Sequence, residues 1–450
     1  MIARRIGNGV LTARIPSEFA ALMEALQLPA PSTDALLQQN DTEWRKLLDV
    51  CDRAHLTLSL AQLPSAGFPA WVVERLRRNL ADNAGRWAGG QALYTEAAEA
   101  LHRARVPHVV LKGFTLAPDY VKEPRFRLQS DVDFYVPPYH IDTAVAALEA
   151  IGYAPVRDCN FTFADHAPTL VRPGGEWKGN LYDPDLPLGI ELHFCLWNSA
   201  VSRIALPETE AFWRRRVERR IGDFQFWSLR DVDQLGYFAL HILRDVFRGE
   251  CVVHHVLELA RFLDRRAHDG AFWIEWQKLH KPRLRRAEAV AFLLAHRWFS
   301  ARLSEEACEE IAQVPDRLTC WVDTLGGCPL EASYRKTREG RQLQFLLADS
   351  WDSKLHALRH ALLPSVFTMP SRAEQRVRHR RDERRGSGYS VLHQFAWLAR
   401  RLFAQVQVDA KFLTNGVSFW LARASLRAEN RLLRSPDGIE AQYAVDASGR

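Results

Sequence analysis

The sequence predicts an α/β (α+β) protein in which one small α/β unit lies between helical regions. Between about residues 101 and 205, short β-branched runs alternate with helical patterns in the order β-α-β-α-β, which is typical of a single α/β domain. On both sides of this unit, apolar residues recur at intervals of three and four positions, which is the period of amphipathic helices. These two observations set the fold class.

Length and composition favour an ordinary globular protein. The chain has 450 residues, of which 47% are hydrophobic and 25% charged, so it can build a sizeable core and two or three domains. No run approaches the roughly eighteen uninterrupted apolar residues of a transmembrane helix, and the first residues lack the apolar stretch of a signal peptide. We therefore expect a soluble, cytoplasmic protein.

Charge and cysteine usage exclude several other classes. The net charge of +6 is small for this length and does not imply nucleic-acid binding. The seven cysteines are scattered, with no C-x-x-C pair and no nearby histidines at zinc-site spacing, so we expect reduced cysteines in or near the core.

The elements of the α/β unit follow from local patterns. Short β-branched runs predict strands, proline pairs and glycines end them, and Gly152 occupies the position that usually closes a helix. The predicted elements are a strand at 106–111, a short helix at 114–121, a strand at 130–136, a helix at 141–151, further strands at 153–157 and within 161–171, and a last strand at 189–194.

Helices are expected on both sides of the unit. The pattern returns to helices from about 212 to 347, and Ser228-Leu-Arg-Asp231 resembles a capping box that opens one of them. We accordingly divide the chain into four regions. They are a helical N-terminal region at 1–100, the α/β core at 101–205, a helical domain packing on the core at 206–350, and a helical, basic extension with a frayed tail at 351–450.

Two acids on the second predicted strand are the first candidates for chemistry. Asp131 and Asp133 are two apart, so their side chains project from the same face of the strand. Carboxylates this close repel each other unless a cation neutralises them, and Mg²⁺ accepts carboxylates together with substrate phosphates. Glu191 lies in the middle of an apolar strand, where an acid needs a partner. Two other D-x-D pairs, at 183–185 and 231–233, fit a turn and a helix start instead.

The turn after the first strand is a candidate phosphate site. It ends in Lys112-Gly113 and opens a helix, which would direct backbone N–H groups at a phosphate. Gly113 would permit close approach of a ligand to the backbone. Arg127, four residues before Asp131, would reach a phosphate or brace the acids.

Four sequence blocks together resemble the bacterial "uncharacterised nucleotidyltransferase" family, a branch of the DNA polymerase β-like nucleotidyltransferase superfamily. The likeness extends from about Trp44 to the helices near Leu347. The blocks are Leu111-Lys-Gly-Phe-Thr-Leu-Ala117, Arg127-Leu-Gln-Ser-Asp-Val-Asp133, Gly152-Tyr153 and Ile190-Glu-Leu-His193.

The resemblance implies a small mixed-sheet nucleotidyltransferase core and transfer of a nucleoside monophosphate from an NTP to a hydroxyl, with release of pyrophosphate. Asp131, Asp133 and Glu191 would be the catalytic and metal-binding carboxylates for two Mg²⁺ (or Mn²⁺) ions. The nucleotide-binding residues implied are Lys112, Gly113, Thr115, Arg127 and Ser130. The wider superfamily has Gly-Ser or Gly-Gly where this chain has Lys-Gly, so the Lys112 amine would contact the triphosphate or point to solvent. The acceptor could be a small molecule, a sugar, a protein side chain or an RNA end.

Several other residues, most of them histidines, each have two possible roles. His193 shares the strand face of Glu191, so it would assist the metal or the acceptor, or pack beside the acid for structural reasons. Asp165 and His166 would border the site, although a structural role is favoured. His254 and His255 are adjacent on a predicted helix, so a metal shared by this pair is not expected. His241 and Arg244 would line a substrate cleft or, as the preferred reading, form an interdomain contact.

The main rivals are a non-catalytic nucleotide-binding protein on the same fold and an adaptor that works through its basic C-terminal segment. The stretch Arg372–Arg385 contains seven arginines, and DNA, RNA or an anionic membrane are conceivable partners. Interleaved acids and the scarcity of aromatic residues favour a solvated segment instead. No P-loop and no protein-kinase motif is found in the sequence.

Overall fold

A seven-stranded mixed sheet carries the α/β part of the chain, which confirms the predicted fold class. The structure is a computed structural model that describes residues 17–156, 165–174, 179–250, 252–332, 337–362, 409–417, 419–421 and 423–424. The sheet order is β3-β4-β5-β2-β1-β7-β6. The strands are β1 (Val109–Leu111), β2 (Asp131–Tyr135), β3 (Ala154–Pro155), β4 (Leu170–Val171), β5 (Gly189–His193), β6 (Val217–Ile221) and β7 (Phe224–Ser228).

Helices precede and follow the strands along the chain, as predicted. The N-terminal helices are α1 (Ser17–Ala25), α2 (Asp34–Leu37), α3 (Asp41–Arg53), α4 (Thr57–Leu60) and α5 (Ala70–Arg103). Within and just after the α/β part lie α6 (Ile141–Glu149), α7 (Ser199–Ser202) and α8 (Glu210–Arg214). The later helices are α9 (Asp231–Arg248), α10 (Val253–Arg266), α11 (Gly270–Leu279), α12 (Pro282–Phe299), α13 (Glu305–Ala312), α14 (Asp316–Leu325), α15 (Cys328–Glu331), α16 (Gly340–Leu347) and α17 (Trp351–Leu362). Four short 3₁₀ turns occur at Gly113–Leu116, Pro124–Phe126, Pro138–His140 and Pro207–Thr209.

Strand β2 lies between β1 and β5 and fixes the position of the acids. It pairs antiparallel with β1 and parallel with β5, which places Asp133 beside both Leu111 and Glu191. Val132 and Phe134 point to the opposite face, where both are fully buried. Tyr94 of α5 stacks on Phe134 with ring centroids 5.6 Å apart. The apolar face thus anchors the strand, and the acids are left on the other face.

The helical expectation was wrong for residues 217–228. These residues form the hairpin of β6 and β7, and β7 joins the sheet through a parallel pairing of Ser228 with Val110. Ile221 pairs with Phe224, so Gly222 and Asp223 form a two-residue turn, in which Gly222 has a φ of +59°. A glycine-led dipeptide between alternating strands is a hairpin signal that outweighs the weak helical pattern.

The predicted capping box at Ser228 was also wrong. Helix α9 begins after Arg230, and no side chain caps its N-terminus. Ser228 is the last residue of β7 and is paired in the sheet, so it lies too early in the chain to cap the helix. The division of the chain into four regions stays a prediction. The arginine-rich stretch 372–385 lies outside the described residues.

Helix α9 connects the later helices to the turn that follows β1. The Gln234 amide donates hydrogen bonds to the backbone carbonyl and the hydroxyl of Thr115, at 3.0 and 3.3 Å. Arg219 of β6 donates to the same carbonyl at 3.0 Å and to the Gln234 amide oxygen at 2.7 Å. The turn after β1 is therefore held from outside the α/β unit. Among the described residues, no helix combines the length and apolarity needed to cross a bilayer.

A buried ionic network joins three of the later helices. His280 contacts Glu288 of α12 through Nδ1 at 2.7 Å and Asp233 of α9 through Nε2 at 3.4 Å. Arg215 also donates to Asp233, from Nε at 2.9 Å. Burial alone would lower the pKa of His280, but the two acids raise it to about 9. The second D-x-D pair, at 231–233, thus begins a helix as expected, and Asp233 has a structural role.

We predict that the stabilising contribution of His280 is lost as the pH rises from 6.5 to 9, so the free energy of unfolding decreases over this range. A histidine whose folded-state pKa is raised stabilises the fold fully below its unfolded-state pKa, and this contribution is lost as pH rises through the folded-state value. Each pKa unit corresponds to about 1.36 kcal/mol, so a rise from 6.5 to about 9 contributes on the order of 3 kcal/mol. Urea unfolding at several pH values should show that His280→Gln flattens the slope, whereas the exposed His268→Gln does not. Equal slopes in the wild type and His280→Gln would refute the role.

Candidate functional site

Strands β2 and β5 bring all three predicted acids to one face of the sheet. Asp131 and Asp133 lie two apart on β2, and Glu191 of β5 is the register partner of Asp133. Ligand atoms of Asp133, Glu191 and His193 all lie within 4.8 Å of one another, which makes this a group able to hold a metal ion. Asp131 is outside this tight group but is coupled electrostatically to Asp133 and Glu191. We call Asp131, Asp133 and Glu191 the acid cluster.

Asp133 is the central member of the acid cluster and has two cationic partners. Its Oδ2 lies 3.2 Å from Lys112 Nζ, and its Oδ1 lies 2.8 Å from His193 Nε2. The Asp133 side chain is only 3% exposed. Although burial favours the neutral acid, Lys112 and His193 hold the pKa of Asp133 well below its usual range. Asp133 is therefore a carboxylate at neutral pH.

Asp131 has less compensation. The hydroxyl of Ser130 donates to its Oδ2 at 3.2 Å, and no ion pair of Asp131 is found in the part of the chain that the structure describes. Burial and the charge of Asp133 raise the pKa of Asp131 to about 7, with Lys112 acting against them and Glu191 adding to them. The cationic side chains of the site therefore leave the acid cluster short of positive charge.

The Glu191 side chain is 21% exposed, compared with 3% for Asp133. Thr169, next to strand β4, donates its hydroxyl to Oε1 at 3.1 Å. Oε2 lies 3.6 Å from His193 Nε2 and 3.8 Å from His166 Nε2. Burial favours the neutral acid, but the two histidines lower the pKa of Glu191. His166 thus borders the site, the reading that the sequence did not favour.

His193 is a charged partner of the acids. Burial alone would lower the pKa of His193, but its contacts with Asp133 and Glu191 raise it to about 9. Its other nitrogen, Nδ1, is buried without a hydrogen bond among the described residues and lies 3.9 Å from Asp165 Oδ2. The histidine that the sequence offered as a possible accessory therefore contacts two of the three acids.

The turn after β1 adopts the conformation that a close approach to the acids requires. Lys112 has a φ of +47° and Gly113 one of +54°. Positive φ at a lysine costs on the order of 1 kcal/mol or more and is typical of functional sites. A Cβ on Gly113 would lie 2.6 Å from the Gln129 amide nitrogen, so the backbone at this position is closely packed. The lysine amine points at Asp133 and not to solvent, and its contact with a triphosphate stays a prediction.

Two other predicted phosphate contacts have protein partners. The buried Thr115 hydroxyl donates to the Lys112 carbonyl at 2.6 Å and so shapes the turn. Arg127 Nε lies 2.9 Å from Glu258 Oε1, and its Nη2 lies 3.5 Å from His255 Nε2. Lys112, Gly113 and Ser130 lie next to the acid cluster, whereas Thr115 and Arg127 serve the surrounding framework. Their nucleotide contacts stay a prediction.

The acid cluster fits divalent cations. Carboxylate oxygens are the ligands that Mg²⁺ and Mn²⁺ prefer. Three acids face one another, and among the described residues their cationic contacts are Lys112, His193 and, at 3.8 Å from Glu191, His166. The raised pKa of Asp131 is the expected consequence of its burial and of the charge of Asp133. Asp133 and Glu191 thus belong to a group that could hold a metal ion, and the metal-binding role of Asp131, Asp133 and Glu191 stays a prediction.

A second histidine group, formed by His241, Asp245 and His255, is better explained as a hydrogen-bonded network. Its ligand atoms also lie within 4.8 Å of one another. Arg244 Nη2 lies 2.7 Å from His241 Nδ1, and an arginine can only donate. His241 Nε2 then carries the proton and faces Asp245 Oδ2 at 3.2 Å. The lone pair of His241 Nδ1 already accepts the hydrogen bond from Arg244, so it is not available to a metal. His254 is not part of the group.

Several residues that border the site are far from it in sequence. Arg244 of α9 pairs with Asp165, and Asp165 in turn faces His193. Tyr237 of α9 lies close enough to Lys112 and Asp133 for their charges to act on its phenol. His241 and Arg244 line a cavity, and Arg244 also contacts the α/β part through Asp165, so a role in a substrate cleft stays a prediction. Thr169 and Tyr237 carry no recognisable motif, because only sheet register and helix packing bring them here.

The comparison with known families agrees with this geometry. The model of the family described as "Uncharacterised nucleotidyltransferase" matches residues 40–300, which is more than half of the chain. The chain therefore belongs to this family. The match supports a nucleotidyltransferase enzyme and an NTP substrate. No curated protein and no solved structure matches the chain.

We predict that Lys112→Met destabilises the metal-free protein and increases its response to Mg²⁺. Removing one partner of a buried ion pair leaves Asp133 without its closest lysine and costs roughly 3 kcal/mol. Added Mg²⁺ should recover part of the loss, because it neutralises the same carboxylates. Thermal unfolding in EDTA and in excess Mg²⁺ measures both effects.

The exposed Lys46→Met is the matched control and should leave both melting temperatures unchanged. A Lys112→Met protein that melts with the wild type in EDTA would contradict the assigned role of the lysine.

Proposed function

We propose that the protein transfers a nucleoside monophosphate from an NTP to a hydroxyl acceptor in a Mg²⁺-dependent reaction that releases pyrophosphate. The observation that carries the proposal is the acid cluster itself, in which three carboxylates share one face with insufficient positive charge to neutralise Asp131. Such an arrangement is favourable once divalent cations and a triphosphate are bound. Family membership supports the same class of reaction.

In the proposed reaction, the acceptor oxygen attacks the α-phosphorus, and the bond between the α-phosphorus and the pyrophosphate oxygen breaks. Glu191, a carboxylate at neutral pH and partly open to solvent, receives the proton of the hydroxyl. Asp131 and Asp133 would hold two divalent cations, with Glu191 as a third ligand. The cations would neutralise the triphosphate and stabilise the entering and leaving oxygens of an in-line displacement.

The turn after β1 has a matching role in this proposal. Its residues Lys112 and Gly113 both have positive φ values, and Leu111 just before them is the register partner of Asp133. When cations occupy the acid cluster, the lysine amine no longer needs Asp133 as its main partner. It can then turn to the triphosphate, where a point charge offsets the missing serine hydroxyl of the wider superfamily.

We predict that Mg²⁺ and an NTP together raise the melting temperature of the protein, and that the shift disappears in Asp131→Asn/Asp133→Asn. Ligands that bind only the folded state stabilise it by mass action, by about 2.7 kcal/mol at a concentration 100 times the Kd. Thermal unfolding with each of the four NTPs, with and without Mg²⁺ or Mn²⁺, would also identify the preferred base.

The control is Asp34→Asn/Asp49→Asn, which removes two exposed acids on α2 and α3 and should keep the full shift. A shift that needs no metal, or that survives in Asp131→Asn/Asp133→Asn, would contradict the proposal. If the NTP binds with metal but no pyrophosphate is released with any acceptor tested, the result would favour a non-catalytic nucleotide-binding protein.

A further inference from the structure

A cavity lies beside the acid cluster, between the end of β5 and helices α9 and α16. Its walls include Trp197 and Phe247 on the apolar side and Tyr237, Arg244, Arg248 and Arg341 on the polar side. Its volume is about 50 Å³. One water needs roughly 10–15 Å³ by the same measure, so the cavity has room for a group of three to five heavy atoms. That is the size of a phosphate.

The cavity has more positive charge than its own acids balance. Arg244 pairs with Asp165 and Asp245, but neither Arg248 nor Arg341 forms an ion pair within the described ranges. The Arg341 guanidinium donates from Nη1 to Gln344 Oε1 at 2.8 Å, its one side-chain hydrogen bond within the described ranges. Burial and the neighbouring charges of Arg248 and Arg338 lower the pKa of Arg341 to about 10. Guanidinium groups gathered in this way are stabilised by an anion.

Two residues connect the cavity with the acid cluster. Asp165 lines the cavity and lies 3.9 Å from His193, which contacts both Asp133 and Glu191. Tyr237 lines the cavity and is 3% exposed, and its hydroxyl has no hydrogen-bond partner among the residues described. A buried hydroxyl without a partner costs about 1–3 kcal/mol, so a ligand that hydrogen-bonds to it is favoured.

We propose that this cavity binds a phosphate group of the acceptor. The proposal rests on the proposed nucleotidyl transfer and narrows its acceptor to a phosphorylated hydroxyl compound. Arg248 and Arg341 hold the phosphate, Tyr237 donates a hydrogen bond to it, and Trp197 packs against the adjoining carbon skeleton. The contacts of Asp165 with His193 and of His193 with Glu191 connect the cavity with the acid that receives the proton.

The test uses inorganic phosphate as the probe and the full-length protein. Binding is measured by ³¹P line broadening and by thermal unfolding, first alone and then with Mg²⁺ and the preferred NTP. We expect saturable binding that Arg341→Gln weakens about tenfold or more, since a hydrogen bond to a charged group contributes enough for that factor. Arg248→Gln, at an exposed position, should weaken it in the same direction without affecting folding. Arg214→Gln removes an exposed arginine elsewhere and should change nothing.

Different results would contradict the phosphate site and the proposed nucleotidyl transfer. Phosphate that does not bind, or that binds the wild type and both cavity variants equally, overturns the cavity assignment. Phosphate that competes with the NTP also overturns it, because the anion would then belong to the triphosphate. If phosphate binds as expected but no NTP binds with metal, the nucleotidyl transfer fails while the anion site stands. Retained NTP binding in Arg341→Gln supports two separate sites.

Discussion

The repulsion among three carboxylates on adjacent strands is the constraint on which the rest of the site depends. Asp133 and Glu191 are paired in register on β2 and β5, and Asp131 lies on the same face. Such a group folds only if positive charge is brought to it. The chain supplies that charge from two directions, with Lys112 from the turn after β1 and His193 from β5 itself. Lys112 and Gly113 both have positive φ values in the turn that carries the lysine to Asp133.

A chain of ion pairs with alternating charge continues outward from these contacts. His193 faces Asp165, and Asp165 pairs with Arg244, which also contacts Asp245. Arg127 and Glu258 form another buried pair, between the α/β part and helix α10. This alternation gives the buried acids Asp133, Asp165 and Asp245 a cationic neighbour each, whereas Asp131 has no ion pair among the described residues. The helices after residue 230 therefore serve the site electrostatically as well as by packing.

The sequence predicted those parts of the structure that are encoded locally. The strand of Asp131 and Asp133 and the strand of Glu191 follow from short apolar runs and from the two-residue spacing of the acids. The hairpin at 217–228 was missed even though Gly222-Asp223 marks its turn, because a helical pattern was extended across it. The partners of the acids could not be predicted in the same way. Thr169 reaches Glu191 only through sheet register, and Arg244 reaches Asp165 across 79 positions of sequence.

The central claim is that the acid cluster holds divalent cations, and electron paramagnetic resonance of Mn²⁺ tests it most directly. The free ion gives a strong six-line signal that is lost on binding, so a titration counts the ions held by the folded protein. The account predicts saturable binding that reaches two ions per chain with a non-hydrolysable NTP and that is lost in Asp131→Asn/Asp133→Asn. A folded wild-type protein that leaves Mn²⁺ free, with and without nucleotide, would contradict it.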